Sequence, residues 1–380
     1  VKRIEFNEIT KPAILEAFAH PRRIDQSLVQ SQETRRMLDR IIGFQLSNLL
    51  QKKIKTKSAG RVQSSVLKLI VDLEEEINNF VSTPFYQISA SNDNMTLNLV
   101  DSKNVIKKIT SKEEANNIYS SLKKSFICKE VIKSETLRSS KPAFITSTLQ
   151  QEASVKYGFS ADKTMRIAQA LYEGKEIGDM QVGLITYMRT DSTRLSDLFV
   201  DQAMKFIKDN YGSNYCGKPK LKNKGSAQDA HEAIRPTSLS RKPEDVDKYL
   251  TSDERKIYKL IYNRTISSLM ASAKFESTTL LFDNSGHTFK TTGQRLLFDG
   301  YLKAYGLGDE DKNKLLPEIL EGDVLDGFDI ELEELFTKPK PFYTEATIIK
   351  TMEELGIGRP STYAQTISKL KTSKYIEIIE

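Results

Sequence analysis

The spacing of apolar residues changes several times along this 380-residue chain, and these changes constrain the fold more than any other feature. Residues 31–54 and about 60–79 have helical spacing. Segments at about 84–137 and 275–297 alternate as short strands, around a helix near 111–123, and we expect them to pair in one sheet. Helices are predicted again at about 146–157, 161–173, 197–210, 345–355 and 361–371. The pattern predicts an α+β protein with several lobes.

Composition excludes some classes of protein. No run of 18 apolar residues occurs, and the first residues, VKRIEFNEIT, resemble neither a signal nor a transit peptide, so we expect a cytoplasmic protein without membrane contact. Cys128 and Cys216 lack CxxC spacing and neighbouring histidines, which argues against zinc. The net charge of +6 is compatible with nucleic acid but does not decide the matter.

Residues 183–192, GLITYMRTDS, form the most informative segment. As a strand, this segment would place Tyr187 and Arg189 on the same face, because side chains alternate. Tyrosine is a weak nucleophile at its usual pKa of about 10, but a neighbouring guanidinium can bind a phosphate and stabilise developing charge. Asp191 and Ser192 follow in the turn, within reach of the same site. A lone tyrosine on a strand is more often a packing residue, so the hypothesis depends on the whole string.

The motif AHEAIRP, at residues 230–236, matches the zinc-protease pattern HExxH only in part. Position 235 is arginine, so the second histidine ligand is missing and no metal site is predicted. His231 is predicted instead to donate to a phosphate or to pair with an acid such as Asp191, and a purely structural histidine is the alternative.

Two helix starts are candidates for contacts with a phosphate backbone, because free amide groups there attract anions. SAGRVQSS offers Arg61 and Gln63, and GIGRPST offers Arg359, Ser361 and Thr362. The second motif joins two predicted helices that precede the strand-like YIEIIE, an order typical of winged helices. Each motif is weak alone, since glycine and serine are ordinary turn residues.

Taken together, GLITYMRTDS, AHEAIRP, SAGRVQS, KPAFITSTLQQEAS and GIGRPSTYA resemble type IA DNA topoisomerases in content and order. The resemblance spans nearly the whole chain. The methionine that follows the tyrosine, Met188, resembles the residue that the bacterial topoisomerase I branch has at this position. It implies a toroidal core with winged-helix-like lobes. The implied parts are a helical lobe at 1–83 and 301–380, a β-rich arch at 84–138 and 273–300, and a nucleophile lobe at 139–272.

The resemblance also implies an isomerase activity. Tyr187 would form a 5′-phosphotyrosyl bond and leave a free 3′-hydroxyl, Arg189 would hold the scissile phosphate, and Asp191 with His231 would support the site. Contacts to the strand are implied for Arg61, Gln63, Ser192, Arg359, Ser361 and Thr362. Strand passage and resealing without ATP would relax negative supercoils, with single-stranded and negatively supercoiled DNA as partners.

One departure from the family pattern concerns magnesium. Family members carry an N-terminal Toprim lobe with a glutamate, a lysine and the acidic Mg²⁺ ligands, and this sequence has no counterpart of it. We therefore expect Mg²⁺ to act in the full-length enzyme and not to bind this chain, which would be inactive in relaxation by itself. A monomer in the bacterial cytoplasm, associated with the nucleoid, is expected.

Other functions fit parts of the sequence. A non-enzymatic module that binds single-stranded nucleic acid would use Tyr187 only to stack on a base. A recombinase or type IB enzyme needs HxxR before a tyrosine near the C-terminus, whereas here the histidine follows Tyr187 and the arginine position is Ile234. An interaction scaffold would show no salt-dependent binding to oligonucleotides.

Overall fold

The computed structural model describes residues 2–55, 60–217 and 232–379. The helices in these residues are α1 Lys11–Ala19, α2 Gln26–Ile54, α3 Arg61–Asn78, α4 Lys112–Ser121, α5 Thr146–Tyr157, α6 Ala161–Glu173, α7 Asp197–Tyr211, α8 Pro243–Val246, α9 Ser252–Leu269, α10 Leu302–Tyr305, α11 Glu345–Glu354 and α12 Tyr363–Thr372. The strands are β1 Pro84–Ser91, β2 Thr96–Leu99, β3 Phe126–Arg138, β4 Lys175–Ile177, β5 Met180–Val182, β6 Ala273–Asn284, β7 His287–Phe298, β8 Val324–Leu325 and β9 Asp329–Phe336.

The chain folds into two compact units. The helical unit contains residues 1–75, 141–270 and 341–380, and the sheet unit contains residues 76–140 and 271–340. In the described part of the chain, no helix has both the length and the apolar content needed to cross a membrane.

The helices of the helical unit follow local sequence signals. Helices α5 and α6 have the predicted bounds, because Gly158 adopts φ 66° after α5 and the Ser160 hydroxyl accepts a hydrogen bond from the Lys163 amide at the start of α6. Helix α9 was not predicted, and its residues are buried on several sides, so it lacks the one-sided apolar stripe that identifies a surface helix.

One apolar cluster joins helices that are far apart in sequence. It includes Val66 of α3, Ile349 and Met352 of α11, and Ile367 and Leu370 of α12. Helix α6 adds Ala161 and Met165 to the same cluster. The start of α12 is therefore fixed close to α6.

The sheet unit is built on seven strands in the order β8-β3-β6-β7-β2-β1-β9, and all its pairs are antiparallel. Strands β3 and β6 bring the two predicted strand-rich segments together, and Ser285 and Gly286, with φ of 55° and 82°, form the tight turn between β6 and β7. Phe126 lies at the centre of the core, with its ring 5.0 Å from that of Phe289 and 4.9 Å from that of Phe328.

Two segments within residues 301–379 differ from what the sequence suggested. The resemblance assigned residues 301–380 to a helical lobe, whereas all eight residues of β9 pair with β1. Apolar and acidic residues alternate in DIELEELF, which suits an edge strand with one face packed on the core. The strand predicted at YIEIIE is absent from residues 375–379, where Ile378 and Ile379 are exposed and no neighbouring strand pairs with them. The finer division into lobes stays a prediction.

A buried ion-pair cluster fastens the first residues of the chain to the segment after residue 231. The Arg235 guanidinium donates to Glu232 Oε2 at 2.7 Å and to Glu8 Oε2 at 2.9 Å. It also lies 4.4 Å from the centre of the Phe199 ring. Since all three charged side chains are largely buried, each depends on the others for compensation.

Replacing Arg235 with methionine should lower the free energy of unfolding by about 3–5 kcal/mol, because two carboxylates would stay buried without a cation. Urea denaturation followed by circular dichroism measures the change. Arg255→Met is the matched control, since Arg255 pairs with Asp247 on the surface, and it should cost less than about 1 kcal/mol. Equal effects of the two substitutions would contradict the assignment.

Candidate active site

Residues 183–190 form an extended segment with hydrogen bonds along both edges. On one edge the Thr186 amide donates to Arg235 O at 2.9 Å, and on the other the Tyr187 amide donates to Asn7 O at 2.7 Å. The predicted regular strand is wrong here, since among the described residues this segment has one isolated bridge, between Ile185 and Pro236, and no ladder. The partners come from different parts of the chain, so within residues 2–55, 60–217 and 232–379 no single strand runs beside this segment to form a ladder.

Two buried threonine hydroxyls strengthen this arrangement. Thr146, the first residue of α5, donates from Oγ1 to Met188 O at 2.7 Å and accepts the Thr190 amide at 2.9 Å. Thr186 donates from Oγ1 to Ala233 O at 2.7 Å. Both hydroxyls are fully buried, so the backbone on each side of Tyr187 is held by side-chain as well as main-chain bonds.

A close backbone approach precedes the tyrosine. The Gly183 amide donates to Ile9 O at 3.2 Å, and the Leu184 amide donates to Leu171 O at 2.8 Å. A Cβ atom at Gly183 would lie 2.7 Å from Tyr172 O, closer than side chains and carbonyl oxygens approach. Only glycine therefore fits between the end of α6 and the first residues of the chain.

Tyr187 and Arg189 line the same cleft, which has a volume of about 510 Å³. A shared cleft is what the prediction of one common side for the two side chains requires. Helix α6 forms one wall and the start of α12 another. The remaining residues that line the cleft are Asp162, Met165, Arg166, Gln169, Glu173, Pro360, Ser361, Ala364 and Gln365.

The Tyr187 ring packs against a second tyrosine. The Tyr172 ring on α6 lies 5.3 Å from it, centre to centre, at an interplanar angle of 66°, which is an edge-to-face contact. Burial raises the pKa of Tyr172 above its ordinary value of 10, and the neighbouring Tyr187 hydroxyl raises it further. Tyr172 therefore stays a neutral phenol beside Tyr187 at neutral pH.

Residues 191 and 192 lie in the turn after Tyr187. Asp191 is exposed, and its charge contributes to raising the pKa of Tyr363, after burial and Glu353. The Ser192 amide donates to Thr190 Oγ1 at 3.0 Å, while its hydroxyl accepts the Arg194 amide at 3.2 Å. Neither residue lines the cleft. His231 lies outside the described residues, so its predicted role stays a prediction.

The start of α12 brings only part of the GIGRPST motif into the cleft. Ser361 lines the cleft beside Tyr187 and Arg189. Thr362 instead closes the loop, since its Oγ1 accepts the Arg359 amide at 2.8 Å. The Arg359 guanidinium donates to Gly358 O at 2.8 Å and so folds back on its own loop.

The predicted strand contacts at the start of α3 are not among the residues that line this cleft. Arg61 donates from Nε to Asp39 Oδ1 at 2.7 Å, and both side chains are exposed. Gln63 is half-buried on the first turn of the helix. Neither Arg61 nor Gln63 lines the cleft with Tyr187.

Sequence reasoning missed the contribution of α6. Asp162, Arg166, Gln169 and Glu173 are spaced four, three and four residues apart, so they form one stripe along the helix. That spacing was a readable signal, but nothing in the sequence indicated that this polar face would meet the tyrosine segment. The cleft therefore has two arginines and two carboxylates.

Comparison with known proteins places this geometry in a family. A family model described as DNA topoisomerase matches residues 23–379. The structure is similar to full-length topoisomerase I from Thermotoga maritima, with a TM-score of 0.89 and 41% sequence identity. The match covers 100% of this chain and 62% of the Thermotoga chain. The predicted α+β core is thus confirmed, and the chain belongs to the bacterial type IA DNA topoisomerase family.

Proposed function

We propose that this chain cleaves one DNA strand by transesterification at Tyr187. The tyrosine oxygen forms a bond to a backbone phosphorus, the bond from phosphorus to the 3′-oxygen breaks, and that oxygen takes up a proton. A 5′-phosphotyrosyl linkage and a free 3′-hydroxyl result. One phosphodiester replaces another, so resealing by the reverse reaction needs no ATP. Passage of a strand before resealing would relax negative supercoils.

The observation that carries this proposal is the placement of Tyr187, Arg189 and the start of α12 around one cleft. A guanidinium favours a phosphate and would stabilise the extra negative charge of a five-coordinate phosphorus. The Tyr187 amide is fixed by Asn7 and its ring is packed on Tyr172, so the nucleophile is held before the strand binds.

Charge supports single-stranded and negatively supercoiled DNA as partners. The helical unit has 40 basic and 30 acidic residues, whereas the sheet unit has 17 basic and 21 acidic residues. The excess of positive charge therefore lies in the unit that contains the cleft, where it would attract the phosphate backbone. We also propose a monomer that acts in the bacterial cytoplasm at the nucleoid.

Magnesium is proposed to act only in the longer enzyme. In the ranges 2–55, 60–217 and 232–379, no group of three His, Cys, Asp or Glu side chains could hold a metal ion. The described residues do not fit a magnesium site, and no step above passes through one. We propose that this chain alone does not relax DNA, and Mg²⁺-dependent relaxation of a plasmid by it would contradict that proposal.

Tyr187→Phe should abolish covalent capture of a strand and leave its binding within about two-fold, because the ring is kept while the nucleophilic oxygen is lost. Single-stranded oligonucleotides labelled at the 5′ or 3′ end are incubated with the protein, with and without an added Toprim lobe. Denaturing gels then measure the label retained on protein.

Retention should occur through the 5′-phosphate side of the break. Tyr157→Phe serves as a control, since Tyr157 is a half-buried tyrosine that does not line the cleft. If the Tyr187→Phe protein still captured label, the nucleophile would be another residue. Intact binding with no capture by the unaltered chain or any variant, even with the Toprim lobe added, would favour the non-enzymatic binding module.

Tyr172→Leu should slow capture by about three- to ten-fold, since an edge-to-face pair contributes about 0.5–1.5 kcal/mol to holding the ring. Tyr172→Phe keeps the ring and should restore the rate. Single-turnover capture at saturating oligonucleotide separates the rate from binding, which neither substitution should change. A slow Phe variant would instead assign the effect to the Tyr172 hydroxyl.

A further inference from the structure

Helix α6 presents a second arginine to the cleft. Arg166 lies on the same stripe as Asp162, Gln169 and Glu173, and all four line the cleft with Tyr187. Gln169 donates to Glu173, so the carboxylate at the far end of the stripe already has a partner. Arg166 is thus the positively charged residue among the α6 side chains that line the cleft.

The ion pair of Arg166 is easily broken. Its Nε lies 3.2 Å from Asp162 Oδ2, one helical turn away, and the two side chains are 75% and 56% exposed. Exposed pairs of this kind contribute little to stability, because water competes for both charges. An incoming phosphate can therefore replace Asp162 as the partner of Arg166, with two oxygens available to a planar guanidinium.

We propose that Arg166 binds a phosphate of the DNA strand next to the one that Tyr187 attacks, and that Asp162 competes for the same guanidinium. This inference rests on the proposed function, because it assumes that a strand lies in the cleft. Arg189 comes from the tyrosine segment and Arg166 from α6, so the two arginines contact the strand from different elements. Arg166 would then fix the register of the strand without reading its bases.

The test compares two matched ion pairs in the helical unit. Arg166 and Asp162 line the cleft, whereas Arg255 and Asp247 form an exposed pair, 3.0 Å apart, that does not. The variants are Arg166→Gln, Asp162→Asn, Arg255→Gln and Asp247→Asn. Fluorescence anisotropy of a labelled single-stranded oligonucleotide gives Kd for each over a series of salt concentrations.

Arg166→Gln should weaken binding by about five-fold at low salt and reduce the slope of log Kd against log salt by about 0.7, the value for one phosphate contact on a single strand. Asp162→Asn should tighten binding, because the guanidinium is released from its competitor. The two control substitutions should leave the slope unchanged. Thermal melting should give similar midpoints for all four variants.

Three outcomes of these binding measurements would overturn the inference about Arg166. Equal slopes for Arg166→Gln and Arg255→Gln would overturn the inference while leaving the proposed function standing. Weaker binding by Asp162→Asn would also overturn it, since the aspartate would then assist the strand. Absence of salt-dependent binding by the unaltered chain would overturn the proposed function and this inference with it.

Discussion

Two buried threonine hydroxyls hold the tyrosine segment, and the candidate site depends on them. Thr146 bonds to the backbone of Met188 and Thr190, and Thr186 bonds to the carbonyl of Ala233. In the part of the chain that the structure describes, no strand runs beside this segment to give it a regular ladder. Its shape is therefore set by residues from four other parts of the chain, which are residues 7–9, Thr146, Leu171 and residues 233–237. A valine at either threonine would keep the size of the side chain but supply no hydrogen bond.

The sequence was most informative where structure is decided locally. Helices α5 and α6 have the predicted bounds because their cap residues are adjacent in sequence. The presence of Tyr187 and Arg189 in one cleft was also predictable, because alternation needs only an extended backbone. The prediction of a regular strand at this segment was wrong. A ladder requires a neighbouring strand as its partner, and the local sequence pattern cannot specify one.

Features that depend on distant contacts were harder to predict. Strand β9 was assigned to a helical lobe by family resemblance, although DIELEELF alternates as an edge strand does. The stripe on α6 was visible as a spacing, but its meeting with residues 360–365 depends on the apolar cluster of α3, α11 and α12. Arg235 can be buried because Glu8, which is 227 positions away in the sequence, accepts a hydrogen bond from its guanidinium. Such contacts appear only when the chain is folded.

The close fit at Gly183 links the movement of separate elements. Its backbone is in contact with the carbonyl oxygens of Tyr172 and Ile9, with no space for even one additional carbon atom. Packed interiors are hardly compressible, so a displacement on one side of this contact moves the backbone on the other side as well. A shift of α6 along its axis would therefore move the nucleophile with it. The tyrosine, the helix that forms one wall of its cleft, and residues 7–9 are expected to move as one body.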